Sequence, residues 1–373
     1  MKPIFVTRPF IPPIQEYQDY IQQILESNHL TNQGPFHLKL EEMLCDYLDV
    51  KYISLFSNAT IALMVAQKAL KICGEIITTP YSFVATSNSI IWSGSKPVFV
   101  DIDRCTLSLN INSIRKKINK NTVAIMPVHC YGIPSSIIEI QKLADEYNLK
   151  VIYDACHAFG VKFNDKSILS YGDLSVISFH ATKIFSTIEG GAIICPNKKL
   201  KDEVDSLKNF GFISEIDTDE IGINGKMSEI SAAFGVAQLN HINEIFSSRK
   251  RIANSYFEGL INISGITMPL YHLKDIVNFS YFPILIESNF PVDRDFIYNH
   301  LKDLGIHTRR YFFPLIPDMS SYRKIGFTSE QFEVASDVSN KILCLPIYPN
   351  LELSQIDFII NSILELSKTN SNK

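Results

Sequence analysis

The stretch S-F-H-A-T-K-I-F-S-T-I-E-G-G, Ser178–Gly191, decides how the rest of the chain is read. The apolar run Leu174–Ile177 precedes it and reads as a buried strand. A second run, Ala192–Cys195, follows it. Between them stand one lysine, Lys183, and a Glu-Gly-Gly turn. Buried strands rarely end in an unpaired ammonium group. Lys183 is therefore either a surface lysine with its stem laid along apolar atoms or a residue with chemical work.

Outward from this stretch the chain alternates. Strand candidates are Tyr52–Phe56, Glu75–Thr79, Pro97–Asp101, Thr122–Val128, Lys150–Asp154, Leu174–Phe179 and Gly191–Cys195. Amphipathic runs lie between them at Ala59–Lys71, Phe83–Trp92, Asn112–Ile118 and Ser136–Tyr147, and helical periodicity continues through Lys199–Asn209, Met227–Leu239 and Ile242–Gly259. Such alternation predicts an α/β fold, a mostly parallel seven-stranded sheet between helices. After about residue 260 the texture changes. A strand at Phe279–Ile286, a helix at Asp293–Leu304, extended chain at Ile306–Phe312 and helices near Ser329–Lys341 and Ser354–Leu366 read as a smaller α+β unit. The expected division is a large domain over 1–250 and a small C-terminal domain over 251–373.

Bulk properties exclude several function classes. The net charge of −4 gives no basic field for nucleic acid or an anionic membrane. No apolar run reaches the roughly 18 residues of a membrane span, and the N-terminus lacks the apolar core of a signal peptide. The seven cysteines are scattered and never form C-x-x-C. They read as buried thiols in a reducing compartment rather than a disulfide frame or metal site, so the cytoplasm is the expected location. The polar tail Ser367–Lys373 is the one low-complexity segment.

In an open parallel sheet, ligands bind beyond the carboxyl ends of the strands. Three polar clusters follow strand candidates there: Ser57-Asn58-Ala59-Thr60, Asp154-Ala155-Cys156-His157, and Ser178 through His180 to Lys183. No G-x-G-x-x-G, P-loop, G-x-S-x-G or H-E-x-x-H is present. What remains is a helix N-terminus suited to phosphate, an aspartate and a lysine. Those are the groups by which proteins hold and tune pyridoxal phosphate.

The stretches H-LTNQGP-F (His29–Phe36), GEIITTPYSFVAT (Gly74–Thr86), KPVFVDID (Lys96–Asp103), PVHCYG (Pro127–Gly132), VIYDACHAFG (Val151–Gly160), YGDLSVISFHATK with EGGAI (Tyr171–Ile193), GINGKMSEISAAFGVAQL (Gly222–Leu239), TRRYFFPL (Thr308–Leu315) and LPIYP (Leu345–Pro349) carry a resemblance. In order and spacing, they resemble the DegT/DnrJ/EryC1/StrS family of pyridoxal-phosphate sugar aminotransferases. The resemblance implies an aspartate-aminotransferase-like (fold type I) large domain with pyridoxal 5'-phosphate as cofactor. It implies that Lys183 forms a Schiff base with the cofactor and later moves a proton, and that Asp154 pairs with the pyridine nitrogen. Phe83 would stack on the ring, and His157 would stand beside the phenolic oxygen. Ser178 and the turn Asn58–Ala59–Thr60 would hold the phosphate. Asn224 would reach the phosphate of a neighbouring subunit, hence a homodimer with shared sites. Substrate contacts fall on Thr31, Asn32, His180, Arg310 and Tyr311, with Gln33 in the same polar loop. The sequence departs from the family pattern at Ala59, where glycine is usual, and at Lys226, where arginine is common.

Relatives that dehydrate deoxysugars have histidine at the Schiff-base position. Lys183 thus implies transamination, with L-glutamate as donor and a nucleotide sugar as acceptor. The texture is similar to that of members that aminate C4 of dTDP-4-dehydro-6-deoxy-D-glucose for O-antigen and lipopolysaccharide sugars. A C3 transaminase acting on a dTDP-3-keto-6-deoxyhexose is the near alternative, and UDP-sugars are a further one. A pyridoxal-phosphate-binding regulator without turnover is the alternative of another class. Plain readings stand beside these: Asp154 as a cap, Phe83 as core, His157 and His180 as structural histidines, and Asn224 as a turn residue.

Overall fold

The structure, a computed structural model, describes residues 2–368. Its centre is a seven-stranded sheet. The strand order is Tyr52–Phe56, Gly191–Cys195, Leu174–Ser178, Lys150–Asp154, Thr122–Met126, Glu75–Thr78, Lys96–Phe99. Gly191–Cys195 runs antiparallel to both of its neighbours, and the other pairings are parallel. The strands are apolar throughout because both faces are covered. Val151, Tyr153, Ile125 and Ile77 point into one core with Leu40, Leu44 and Val236. Their chain neighbours Ile152, Ala124 and Ile76 point into another with Ala62, Leu63 and Leu207.

The seven strands fall where the sequence predicts them, with ends differing by one or two residues. Three helices lie outside the expected set: Ile14–Ser27, Pro35–Leu48 and the short Ser320–Arg323. Helix Pro35–Leu48 is held at its start by the buried Glu229 carboxylate, which accepts from the backbone N–H groups of Phe36 and His37 at 2.9 and 2.7 Å. That is the favourable place for a negative charge, at the free N–H end of a helix. A correction concerns the cysteines. All seven are free thiols, but Cys73 and Cys105 are exposed, on the connections after Ile72 and after Arg104 rather than in the core. The tail expected at 367–373 lies outside the described residues beyond Lys368.

The C-terminal part packs residues such as Ile252, Leu285, Ile342 and Ile359 around the three-stranded sheet Ile266–Thr267, Phe282–Ile286, Ile342–Leu345, in a core that also takes in Tyr81, Phe99, Cys130 and Tyr131. Ile4 joins that core, and Ile4–Phe5 pairs in parallel with Ile306–His307. We propose the division near residue 250. Helix Ile242–Leu260 runs through it and links the two units. They are tied together by hydrogen bonds. Asp101 accepts from the backbone of Val334 and Ala335 at 2.9 Å each, at the start of helix Glu333–Lys341. Tyr322 donates to Ser87 at 2.7 Å or to Asn88 at 2.8 Å.

Candidate active site

Sheet register aligns the polar clusters. Gly191 pairs with Phe56 on one side and Ser178 on the other, and Asp154 pairs with Val176 on the next strand. The loops after these parallel strands and after Glu75–Thr78, with the entry to the antiparallel one, therefore open on a single cleft of about 300 Å³. It is lined by Asn58, Ala59, Thr60, Phe83, Asp154, His157, Ser178, His180, Lys183 and Tyr311 of the expected set. Asn224, Thr31, Asn32 and Arg310 are not brought to it. Asn224 is exposed and bridges to Asn209; Thr31 and Asn32 lie in the turn between the two N-terminal helices. Arg310 pairs with Asp295 at 2.8 Å.

Each lining group has a local cause. Asn58 caps helix Ala59–Ala69, its side chain accepting from Ile61 N at 2.9 Å. That leaves the first backbone N–H groups, of Ala59 and Thr60, facing the cleft without intrahelical partners. A Cβ on Gly191 would stand 2.7 Å from Ala59 N. Only glycine lets the strand pass so close beneath this turn. Ala59 itself opens the helix in right-handed backbone, so its methyl group is tolerated where a glycine was expected.

Asp154 is 5% exposed. One carboxylate oxygen accepts from Thr86 Oγ1 at 2.7 Å, the other from Cys156 N at 3.2 Å. It caps no helix. Phe83 is 60% exposed at the cleft wall, which removes the plain-core reading. His157 is buried and held neutral: burial first, then the Lys183 charge, push its pKa well below the usual range. Lys183 Nζ donates to Tyr281 Oη at 3.1 Å. Burial alone would lower its pKa, but Tyr281, Cys156 and Asp154 outweigh that and raise it. At the rim, Thr182 N donates to His180 Nδ1 at 3.2 Å, and His180 Nε2 lies 3.5 Å from Glu189.

The DegT/DnrJ/EryC1/StrS aminotransferase family profile matches residues 14–364. The chain belongs to this family. It is 50% identical over 365 residues to the dTDP-4-amino-4,6-dideoxy-D-glucose transaminase of Shigella dysenteriae, covering 98% of this chain and 99% of that one. It is 48% identical over 354 residues to the Escherichia coli transaminase of the same name, covering 94% and 95%. Among solved structures it is similar to DesI in the presence of its TDP-sugar product, with a TM-score of 0.93 at 29% identity over 99% of this chain and 94% of that one. Helicobacter pylori PseC, an aminotransferase of pseudaminic acid biosynthesis, gives 0.91 at 29% over 98% and 99%. The chain is thus a pyridoxal-phosphate-dependent sugar aminotransferase.

The cleft of this family member fits that cofactor on its own chemistry. A buried carboxylate suits a protonated ring nitrogen. An exposed aromatic on the wall suits a ring face. Free helix N–H groups over a glycine-lined floor suit a phosphate. Sequence reasoning missed Thr86, Cys156, Glu189, Tyr281 and Phe312, which also line the cleft. Thr86 lies one turn beyond Ser82 and Phe83 in a quoted motif. Tyr281 carried no local signal, because it arrives from the other unit.

Proposed function

We propose that this protein transfers the amino group of L-glutamate to C4 of dTDP-4-dehydro-6-deoxy-D-glucose. The products are dTDP-4-amino-4,6-dideoxy-D-glucose and 2-oxoglutarate. The observation that carries the reaction class is the convergence of Lys183, Asp154 and Phe83 in one cleft. The sugar rests on the 50% and 48% identical relatives, both named for that product. A product of this kind is a precursor for O-antigen and lipopolysaccharide sugars. The chain's free thiols agree with a reducing, cytoplasmic setting.

Pyridoxal phosphate supplies the electron sink when bound. Asn58, Ala59, Thr60 and Ser178 would hold its phosphate, Asp154 its pyridine nitrogen, Phe83 its face and His157 its phenolic oxygen. Lys183 would be the residue to which it attaches, and the amine that moves a proton between the reacting substrate carbon and the cofactor. The raised pKa of Lys183 keeps a positive charge in the cleft that a dianionic cofactor would meet. His180 and Tyr311 stand at the rim and wall where the sugar would enter. Thr31, Asn32 and Arg310 lie off the cleft and would meet substrate only through a neighbouring protomer or the nucleotide end.

We also propose a homodimer in which Asn224 of one protomer reaches the cleft of the other. Its support is the loop that carries Asn224, which exposes Phe210, Phe212, Ile213, Ile216, Ile221 and Ile223. Large apolar side chains exposed together on one loop are the mark of an interface. The test of the function is NMR identification of the product from purified protein, pyridoxal phosphate, L-glutamate and dTDP-4-dehydro-6-deoxy-D-glucose. An equatorial C4 amine is expected. Amination of a 3-keto isomer instead would overturn the C4 assignment, and binding of the cofactor without turnover on any keto sugar would favour a regulator.

A further inference from the structure

Tyr281 stands where two donors converge. Its hydroxyl lies 3.1 Å from Lys183 Nζ and 3.5 Å from His157 Nε2. The backbone N–H of Tyr131 donates to His157 Nδ1 at 3.2 Å. Nδ1 is therefore the acceptor nitrogen, and the neutral ring carries its hydrogen on Nε2, towards Tyr281. Both lone pairs of the phenolic oxygen thus face N–H groups. The phenol's own hydrogen is left for the cleft, which Tyr281 lines.

The tyrosine is also held with unusual effort. Arg249 is 1% exposed, and its hydrogen bonds go to backbone carbonyls rather than to a carboxylate. Its Nη1 donates to the carbonyls of Phe279 at 3.1 Å and Ser280 at 3.3 Å, the two residues before Tyr281. Burial lowers its pKa to about 10. A buried guanidinium is costly, and its hydrogen bonds to these two carbonyls offset part of that cost while they hold the segment before Tyr281. From the other side, Ser280 Oγ lies 3.1 Å from the carbonyl of His157, and Asn278 Nδ2 donates to the carbonyls of His157 and Phe159 at 2.9 Å each. The segment 278–281 is stapled to the loop whose histidine faces Tyr281.

We infer that Tyr281 is a catalytic residue of the transamination, orienting Lys183 through its oxygen and presenting its hydroxyl hydrogen to the bound substrate, with Arg249 and Asn278 as its positioning residues. This rests on the role proposed above for Lys183. When Lys183 takes a proton from a substrate carbon it becomes an ammonium group. Tyr281 accepts a hydrogen bond from that group until the same proton returns to carbon, and the phenol keeps its own proton throughout. Packing alone does not require the hydroxyl. The ring meets His157 edge-on at 4.7 Å and Tyr131 and Tyr311 at 5.6 Å each, contacts that phenylalanine would keep.

The test is Tyr281→Phe in the full chain, read in two ways. First, the pH dependence of Lys183 reductive methylation is followed by mass spectrometry without added cofactor. Asp154, Cys156, Cys130, His157 and Tyr311 also face Lys183, and all remain in the variant. With Tyr281's oxygen gone and burial unchanged, the midpoint should move to lower pH by about one unit. Second, kcat of the L-glutamate half-reaction in cofactor-loaded protein should fall about 10²-fold, with KM little changed. Arg249→Met should show the same two shifts in weaker form, and Arg249→Lys should restore them in part. An unchanged midpoint or a wild-type kcat in Tyr281→Phe, with Lys183→Ala inactive, overturns the inference and leaves the reading of Lys183 standing. An active Lys183→Ala overturns both.

Discussion

Two lysines sit near the same sheet, one beside the strand Tyr52–Phe56 and one in the loop after Leu174–Ser178, and they differ in what faces them. Lys208, at the end of helix Lys198–Leu207, is 0% exposed. Its Nζ lies 2.7 Å from Asp205 and 2.8 Å from Ser54 Oγ, with Glu41 at 4.0 Å. Lys201 completes the cluster, 2.6 Å from Asp205 and 3.3 Å from Glu41. Lys183 has no carboxylate within ion-pair distance among the described residues; its one hydrogen-bond partner there is a phenol. A lysine matched by carboxylates is one member of an ion-pair network and serves packing. A lysine that faces a cleft with only a phenol on its nitrogen can shed a proton and bond to carbon when a ligand rearranges its surroundings. The difference lies in partners rather than in burial.

The largest effect that would break this contrast is in catalysis. Lys183→Ala should lower kcat of sugar amination by at least about 10³-fold, with the thermal midpoint nearly unchanged; steady-state kinetics and a melt read both. Asp154→Ala should slow the glutamate half-reaction by about 10²–10³-fold, the scale of removing one fixed electrostatic partner from an active site. Stopped-flow absorbance would show it. On the other side, Lys208→Met should leave kcat at the wild-type value and cost about 2 kcal/mol of stability, because it leaves two mostly buried carboxylates, Asp205 and Glu41, sharing the single ammonium group of Lys201. Denaturant unfolding measures that loss.

The smallest effect concerns His37, which packs against the Lys208 cluster with both ring nitrogens unpartnered. Burial first, then Lys208 and Lys201 against the opposing pull of Asp205, lower its pKa from 6.5 to about 3. Between those values the unfolded chain binds a proton that the folded one does not. Stability from this group is therefore complete above about pH 6.5 and lost on acidification, by about 1.4 kcal/mol per pH unit. His37→Phe should remove one proton's worth of that slope, seen as a flatter dependence of unfolding free energy on pH between 6.5 and 4.

The sheet was legible because its strands, Lys150–Asp154 and Leu174–Ser178 among them, are short apolar runs that end in polar clusters. Both the fold and the position of the cleft follow from that. The helix Pro35–Leu48 was legible too and went unread. Gly34-Pro35 marks a start, and Phe36, Leu40, Leu44 and Leu48 recur at four-residue spacing on its buried face. The strand Ile342–Leu345 was hidden by its length, four residues before a proline. Asp154, Ser178 and Lys183 were visible because strand ends in one sheet share an edge. Tyr281 and Arg249 were not. Their partners lie 98 and about 30 residues away, and no local pattern encodes a meeting between two units. Asn224, Thr31, Asn32 and Arg310 rested on resemblance alone, and within one chain they stay outside the cleft.

The most direct test asks which lysine the cofactor chooses. Purified protein would be mixed with pyridoxal phosphate, reduced with borohydride, digested and mapped by mass spectrometry. The account predicts one pyridoxyl-modified peptide, carrying the adduct on Lys183 and leaving Lys208 and Lys201 unmodified. An adduct on Lys208, or wild-type cofactor attachment in Lys183→Ala, would contradict it.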